Sequence, residues 1–311
     1  MIVSTQSRET GLLLPSREAL LWADSDLSFV VDAARHAERA GYDSVWAGDS
    51  LLARPRAEPL TLLAAVAGAT TRVALGTAVL LPLLRHPLSL AHALATLDRI
   101  AEGRVIVGVG PGAELPGTHA ELAAVGVPSN RRVALMVSVV ERIRRLWRNE
   151  EPGIELQPRP SRPDGPPIWL GGSGPRMLRL AGELFDGWLP LSATPVEYAS
   201  GLRSVHEAAE QAGRDPAAVA TGVYLTVAIA DSPSAAAGEL DAYIRAYYGV
   251  PAEVMARAMA CHAGTLESAA EWFGAYRAAG ARHLVVRLAR PGLGDYNETV
   301  RGLLSAARNG A

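Results

Sequence analysis

Short apolar runs alternate along this chain with longer stretches in which apolar residues recur every three or four positions. The runs read as strands buried on both faces, and the periodic stretches read as amphipathic helices. The first run, 11–14, is closed by Pro15. A helix follows, with Asp26 as its candidate N-cap, one apolar face made by Phe29, Val30, Ala33, Ala34 and Ala37, and Gly41 as its stop. Further strands are predicted at 44–47, 73–78, 105–109, 168–170, 187–190, 221–230 and 283–287. The helices between and after them are predicted at 59–70, 88–101, 131–148, 175–183, 195–212, 235–247, 266–279 and 296–307.

Strand–helix alternation implies a parallel sheet covered by helices. Eight such units point to a single-domain (β/α)8 TIM barrel over residues 1–311. The barrel typically takes about 250 residues. The surplus is assigned to loop insertions at 112–130 and 151–167 and to extra helix before the last strand. An open doubly wound sheet is the alternative. In a barrel the active site lies at the C-terminal strand ends. The segments of interest are therefore 15–18, 48–54, 78–86, 110–115, 171–176, 191–194, 231–233 and 287–292.

Composition narrows the chemistry. The 30 basic residues are all arginine, since the sequence contains no lysine. A lysine Schiff base and a P-loop are both excluded. The net charge of −2 argues against nucleic acid as a partner, and apolar stretches broken by Arg72, Gly76 and Pro82 argue against a membrane span. The single cysteine, Cys261, fits a reducing compartment, and together with the absence of a signal-like N-terminus it gives a cytoplasmic expectation. Cys261 and His262 are read as helical neighbours that point apart, with the cysteine in the core. The seven histidines show no metal-ligand spacing.

Two glycine-rich strand ends carry candidate chemistry. In Ile168-Trp169-Leu170-Gly171-Gly172-Ser173-Gly174-Pro175 a buried strand runs into a helix start. Free N–H groups there, with Ser173 and Arg176, suit a phosphate, and a ligand-free turn is the plainer reading. Gly108-Val109-Gly110-Pro111-Gly112 does not complete a dinucleotide fingerprint and instead suits close approach of backbone to a flat ligand. Asp49 after the second strand and His86 after the third are candidate acid/base groups. For Asp49 a loop salt bridge with Arg54 or Arg56 is the plainer reading.

Several blocks then combine. Residues 37–46 (AERAGYDSVW) with Asp49, 70–79 (TTRVALGTAV), Arg85-His86-Pro87, 95–99 (ATLDR), 101–104 (AEGR) leading to Gly108-Val109-Gly110, 167–174 (PIWLGGSG), Phe185-Asp186-Gly187-Trp188, and Gly264-Thr265 with 278–281 (AAGA) occur in this order. The ordered set resembles the bacterial luciferase-like monooxygenase family of flavin- and F420-dependent oxidoreductases. The resemblance implies a TIM barrel that binds a reduced cofactor, coenzyme F420 or alternatively FMN, across its C-terminal mouth. It implies a bulge at Ala78-Val79, often a non-proline cis peptide in relatives, that backs the ring. Gly112 and Ala113 would line the ring, and Gly171, Gly172, Ser173, Gly174, Arg176 and Ser192 would hold the phosphate.

Two departures stand out. Ser50 occupies the place of a histidine used by many F420-dependent relatives, and Ala113 replaces an acidic residue, with Glu114 adjacent. Asp49 and His86 are therefore the substitute catalytic residues. Arg17, Glu18, Arg287 and Arg290 are candidate substrate contacts, with rim salt bridges as the plainer reading. Apolar segments at 80–84 and 115–126 favour an uncharged small-molecule substrate. The activity expected is hydride transfer with reduced F420. The alternatives are an FMN-dependent monooxygenase using oxygen and a non-catalytic flavin-binding barrel. A flavin or F420 reductase or dehydrogenase would supply the reduced cofactor, and a homodimer is expected from the family.

Overall fold

Eight parallel strands close on themselves in the computed structural model, which describes residues 8–24, 26–192 and 194–310. The strands are β1 (Glu9–Leu13), β2 (Ser44–Ala47), β3 (Ala74–Thr77), β4 (Val105–Val109), β5 (Ile168–Leu170), β6 (Gly187–Trp188), β7 (Ala220–Ile229) and β9 (His283–Leu288), with a short β8 (Cys261–Gly264) outside the ring. Neighbours pair in sequence order from β1 to β7, and β9 closes the circle between β7 and β1. The barrel stands as expected, and the open sheet does not.

Strand β8 is the element that periodicity missed. The lower end of β7 pairs with β6 through Ala220 and Thr221, while its upper half, Thr226 to Ile229, pairs with Cys261 to Gly264. β6 is two residues long, so ten-residue β7 offers an unpaired upper edge that β8 fills. Cys261 and His262 thus lie on a strand rather than a helix. Cys261 is only partly buried. His262 shares a hydrogen bond with Ser268 Oγ at 3.0 Å and stacks on Trp272.

The barrel interior is filled by large rings that strand glycines admit. A Cβ on Gly76 would lie 2.1 Å from the Trp46 ring, and one on Gly187 would lie 2.6 Å from Trp169. Trp46 and Trp169, fully buried, tilt against each other at 5.6 Å. Beneath them Ser44 Oγ accepts from Trp46 Nε1 and meets His283 Nε2 at 2.7 Å, and His283 Nδ1 pairs with Glu9. This plug fills the barrel interior below the C-terminal mouth. Within the expected insertions, Pro116–Ala124 forms a helix that the sequence pattern did not reveal. Among the described residues, no helix is long and apolar enough to cross a membrane.

Candidate active site

A cleft of about 320 Å³ opens at the C-terminal strand ends, and its two walls differ in chemistry. One wall comes from the ends of β3, β4 and β5 and presents mostly backbone: Ala78, Val79, Gly110, Gly112, Ala113, Gly171 and Gly172. The Ala78–Val79 peptide is cis. Leu80 then rejoins the ladder, donating its N–H to Gly108 O and accepting from Gly110 N. The wall has little room for side chains at Gly110 and Gly112. A Cβ on Gly110 would stand 2.7 Å from Val79 Cγ2, and Gly112, at φ +80°, would meet Thr118 Cγ2 at 2.5 Å. A flat ligand can lie against such a surface.

The facing wall is aromatic and cationic. It is built from Tyr224 on β7, Tyr247 and Tyr248 at the end of helix Pro233–Tyr248, Arg287 on β9, and Arg54 and Arg56 after β2. Arg287 is 1% exposed; its Nε and Nη2 donate to Thr226 Oγ1, and its Nη1 donates to Tyr248 Oη at 2.7 Å. Arg56 Nη2 donates to Tyr247 Oη at 2.8 Å, and the Arg54 guanidinium lies 4.6 Å from the Tyr248 ring centre. Burial pushes the Tyr224 and Tyr247 phenols above their ordinary pKa, so these hydroxyls remain neutral hydrogen-bonding groups.

Two buried carboxylates shape the rim. Asp49 Oδ2 accepts from Leu81 N at 2.9 Å and from Arg85 Nη1 at 2.6 Å, while Oδ1 accepts from Arg85 Nη2 at 3.1 Å. The salt-bridge partner is therefore Arg85, not Arg54 or Arg56. Arg85 also reaches Glu58. Burial alone would lower the Arg85 pKa, but the Asp49 and Glu58 carboxylates more than offset it. Glu121, 1% exposed, accepts from Ser50 Oγ, Leu52 N and Leu51 N and ties the 50–53 loop to helix Pro116–Ala124. Ser50 Oγ in turn accepts from Arg54 N, so Ser50 serves as loop structure.

A second depression continues the cleft on the β5–β6 side, with Leu191 on the border of both. Ser173, Ser192, Ser200 and Ser204 line it. Helix Pro175–Leu184 begins here at Gly174, and no side chain caps it. Among the described residues, no intramolecular acceptor engages the N–H of Ser173, Gly174 or Arg176. Ala193, within the expected 191–194 segment, lies outside the described residues.

The sequence-predicted residues divide accordingly. Asp49, Ala78, Val79, Gly112, Ala113, Gly171, Gly172 and Arg287 come together on the cleft, and Ser173 and Ser192 in the adjoining depression. His86 is an exposed N-cap residue of helix Pro87–Ile100 and is absent from the lining, as is exposed Arg176. Glu18 is buried against the Tyr243 hydroxyl, Arg17 stacks on the back of Tyr247 at 4.7 Å, and Arg290 pairs with Asp295. Glu114 is spent on Arg132 and His119. The apolar residues at 80–84 go mostly to the core, leaving Leu81 on the cleft, and the 115–126 segment contributes Thr118 and Glu121 to it. Sequence reasoning placed Arg54 in a mouth segment without a role and missed Arg56, Glu121 and the three tyrosines as cleft residues. The Tyr247-Tyr248-Gly249 helix end and Arg54-Pro55-Arg56 were the available signals.

Comparison with known proteins adds the lineage. The chain is 34% identical over 210 residues to a phthiodiolone/phenolphthiodiolone dimycocerosates ketoreductase of Mycobacterium sp. (strain JLS), a match covering 63% of this chain and 54% of that protein. It is 32% identical over 225 residues to the F420-dependent hydroxymycolic acid dehydrogenase of Mycobacterium tuberculosis, covering 67% and 61%. The matches thus span little more than half the length of these curated relatives. An F420-dependent secondary alcohol dehydrogenase in complex with an F420–acetone adduct shares the fold, with a TM-score of 0.80 at 22% identity over 97% of this chain and 100% of that one. The model of the luciferase-like monooxygenase family matches residues 4–284, and the chain belongs to that family.

Proposed function

We propose that the protein is an oxidoreductase that uses coenzyme F420 to move hydride to or from a small organic substrate. The observation that carries this reading is the continuity of the two depressions: a wall of glycines and small side chains leads past Leu191 to uncapped N–H groups and serine hydroxyls at a helix start. The residues present fit the group, because a flat ring needs the glycine wall and a phosphate needs free N–H and hydroxyl donors. The F420-dependent dehydrogenase among the relatives supports F420. When bound, the deazaflavin supplies a two-electron hydride carrier.

In this reading Val79 and Gly110 back the ring, Gly171 and Gly172 allow the chain to pass close to it, and Ser173, Ser192 and the Pro175–Leu184 helix start hold the phosphate. Asp49 acts as a positioning residue, since both of its oxygens are committed to Arg85 and Leu81 N–H. A reductase or dehydrogenase delivering reduced cofactor, and a homodimer, belong to the same proposal; sedimentation of the purified protein reads the latter.

The test titrates F420 and FMN against tryptophan fluorescence, for which Trp188 is placed well because its Nε1–H donates to Gly172 O at 2.9 Å. Gly174→Asp separates phosphate binding from folding. Gly174 sits at the N-cap with φ −71° and ψ 156°, and a Cβ there meets nothing within 4 Å. Aspartate is a better N-cap than glycine by a few tenths of a kcal/mol. Its carboxylate would also occupy the N–H groups and repel a phosphate. The expected result is unchanged or higher stability with about tenfold weaker F420 binding. Undiminished F420 binding would place the phosphate elsewhere, and tighter binding of FMN with oxygen-dependent turnover would replace F420 by FMN.

A further inference from the structure

The cationic wall has more positive charge than its internal contacts use. Arg54, Arg56 and Arg287 all line the cleft, and among the described residues none of them lies within salt-bridge distance, 4.0 Å, of a carboxylate. Their partners are neutral: Thr226 and Tyr248 for Arg287, Tyr247 for Arg56, and the Tyr248 ring face for Arg54. The guanidinium carbons of Arg56 and Arg287 lie 5.7 Å and 4.9 Å from the same Tyr247 ring centre. Arg56 Nη1 has no acceptor among the described residues.

The neighbouring carboxylates are engaged elsewhere. Asp49 is held by Arg85, Glu121 by the 50–53 loop, and Glu18 by the Tyr243 hydroxyl, with Arg17 packed behind Tyr247. Burying a guanidinium is costly, and the compensation on the protein side comes from a distance: the buried Glu18 carboxylate favours the charged form of Arg56 without forming a salt bridge to it. Arginine's forked donors match a carboxylate or a phosphate, whereas an uncharged substrate would leave this wall unmatched.

We propose that the substrate carries an oxyanion, a carboxylate or a phosphate, that docks on Arg54 and Arg56, with the positive charge of buried Arg287 adding to the field, while its reacting carbon faces the glycine wall. The proposal rests on the oxidoreductase reading above, because that reading puts the cofactor ring on the opposite wall. The aromatic faces of Tyr224, Tyr247 and Tyr248 provide apolar surface beside the anion site.

The experiment uses three probes of similar size: phenyl phosphate, benzoate and the neutral benzyl alcohol. Each is titrated by calorimetry into the protein without cofactor and with F420 present, for the wild type and for Arg56→Gln and Arg54→Gln. Arg54 is half-buried without a side-chain acceptor, so its variant keeps the fold even if Arg56→Gln does not. At least one anion should bind tenfold or more tighter than benzyl alcohol, and the tighter of the two identifies the oxyanion. Each substitution should weaken that anion about tenfold and leave benzyl alcohol and F420 unchanged. Anions that bind no tighter than benzyl alcohol, or that bind both variants as tightly as the wild type, overturn the proposal. F420 affinity lost in the variants would also overturn it, by assigning these guanidiniums to the cofactor's own anionic tail. The cofactor-free titrations read the anion site even if F420 does not bind, so failure of the oxidoreductase reading shows separately.

Discussion

Replacing Asp49 by asparagine or alanine asks whether this carboxylate holds the cleft together or moves a proton. Its side chain is 1% exposed and receives two guanidinium contacts and one backbone N–H. Removing one partner of a buried pair costs about 3–5 kcal/mol. That figure is discounted here, because Arg85 is 17% exposed and keeps Glu58 as a second partner. Asp49→Ala should therefore cost about 2–3 kcal/mol, and Asp49→Asn about 1.5–2, since an amide oxygen still accepts from Leu81 N. For a chain of 311 residues, 2.5 kcal/mol corresponds to roughly 4 °C in Tm. Urea midpoints and cofactor titration are the assays, with Arg85→Gln closing a double-mutant cycle. A coupling energy above about 1 kcal/mol is expected. Cofactor affinity should fall in parallel, because Leu81 N–H anchors the chain just after Val79. If Asp49→Asn instead left stability and cofactor affinity intact while kcat fell a hundredfold, the positioning argument would be refuted and Asp49 would be the proton acceptor.

Further outcomes follow from other contacts. Glu121→Ala removes the shared acceptor of the 50–53 loop, and because the N–H groups of Leu51 and Leu52 can turn to water it should cost only about 1–2 kcal/mol while raising amide exchange at those residues; unchanged exchange there would sink this account. Burial pushes the Cys261 thiol pKa up, with Arg287 offsetting part of the effect, so iodoacetamide at pH 8 should label the native protein more slowly than the urea-unfolded chain. Equal rates would contradict it. Burial lowers the His262 imidazole pKa below its ordinary 6.5, which makes the unfolded chain the better proton binder in that range. Its contribution to stability is complete above about pH 6.5 and is lost as pH falls through the lowered folded value. Urea midpoints of the wild type should fall more steeply over that window than those of His262→Gln, and parallel curves would count against the assignment.

Much of the architecture was legible because its signals are local. Val105–Val109 and Ile168–Leu170 are apolar on both faces, which only a sheet covered on both sides can bury. Gly41 adopts φ +103° at the end of helix Ser28–Ala40, the left-handed stop its identity advertised. The glycine wall was legible for the same reason: glycine at Gly110 and Gly112 marks where backbone must approach something. Strand β8 was not, since its four residues carry little pattern and pair because β7 outruns β6. His86 looked catalytic by position after β3, yet the helix it begins turns it to the surface.

The sequence by itself determined the barrel, the end of it that carries the site, and the exclusion of amine chemistry, because periodicity, strand count and the missing lysine need no knowledge of distant contacts. The tertiary structure alone decided which charges are spent and which are free. Asp49 was resolved into a partner of Arg85, Glu121 into the clasp of the 50–53 loop, 71 residues from it at Ser50, and Arg287 into a tyrosine-lined wall with, among the described residues, no carboxylate within salt-bridge distance. The physical reason is that a charge is neutralised by what is near it in space, and side chains as far apart in sequence as Arg56 and Tyr247 meet only when the barrel closes.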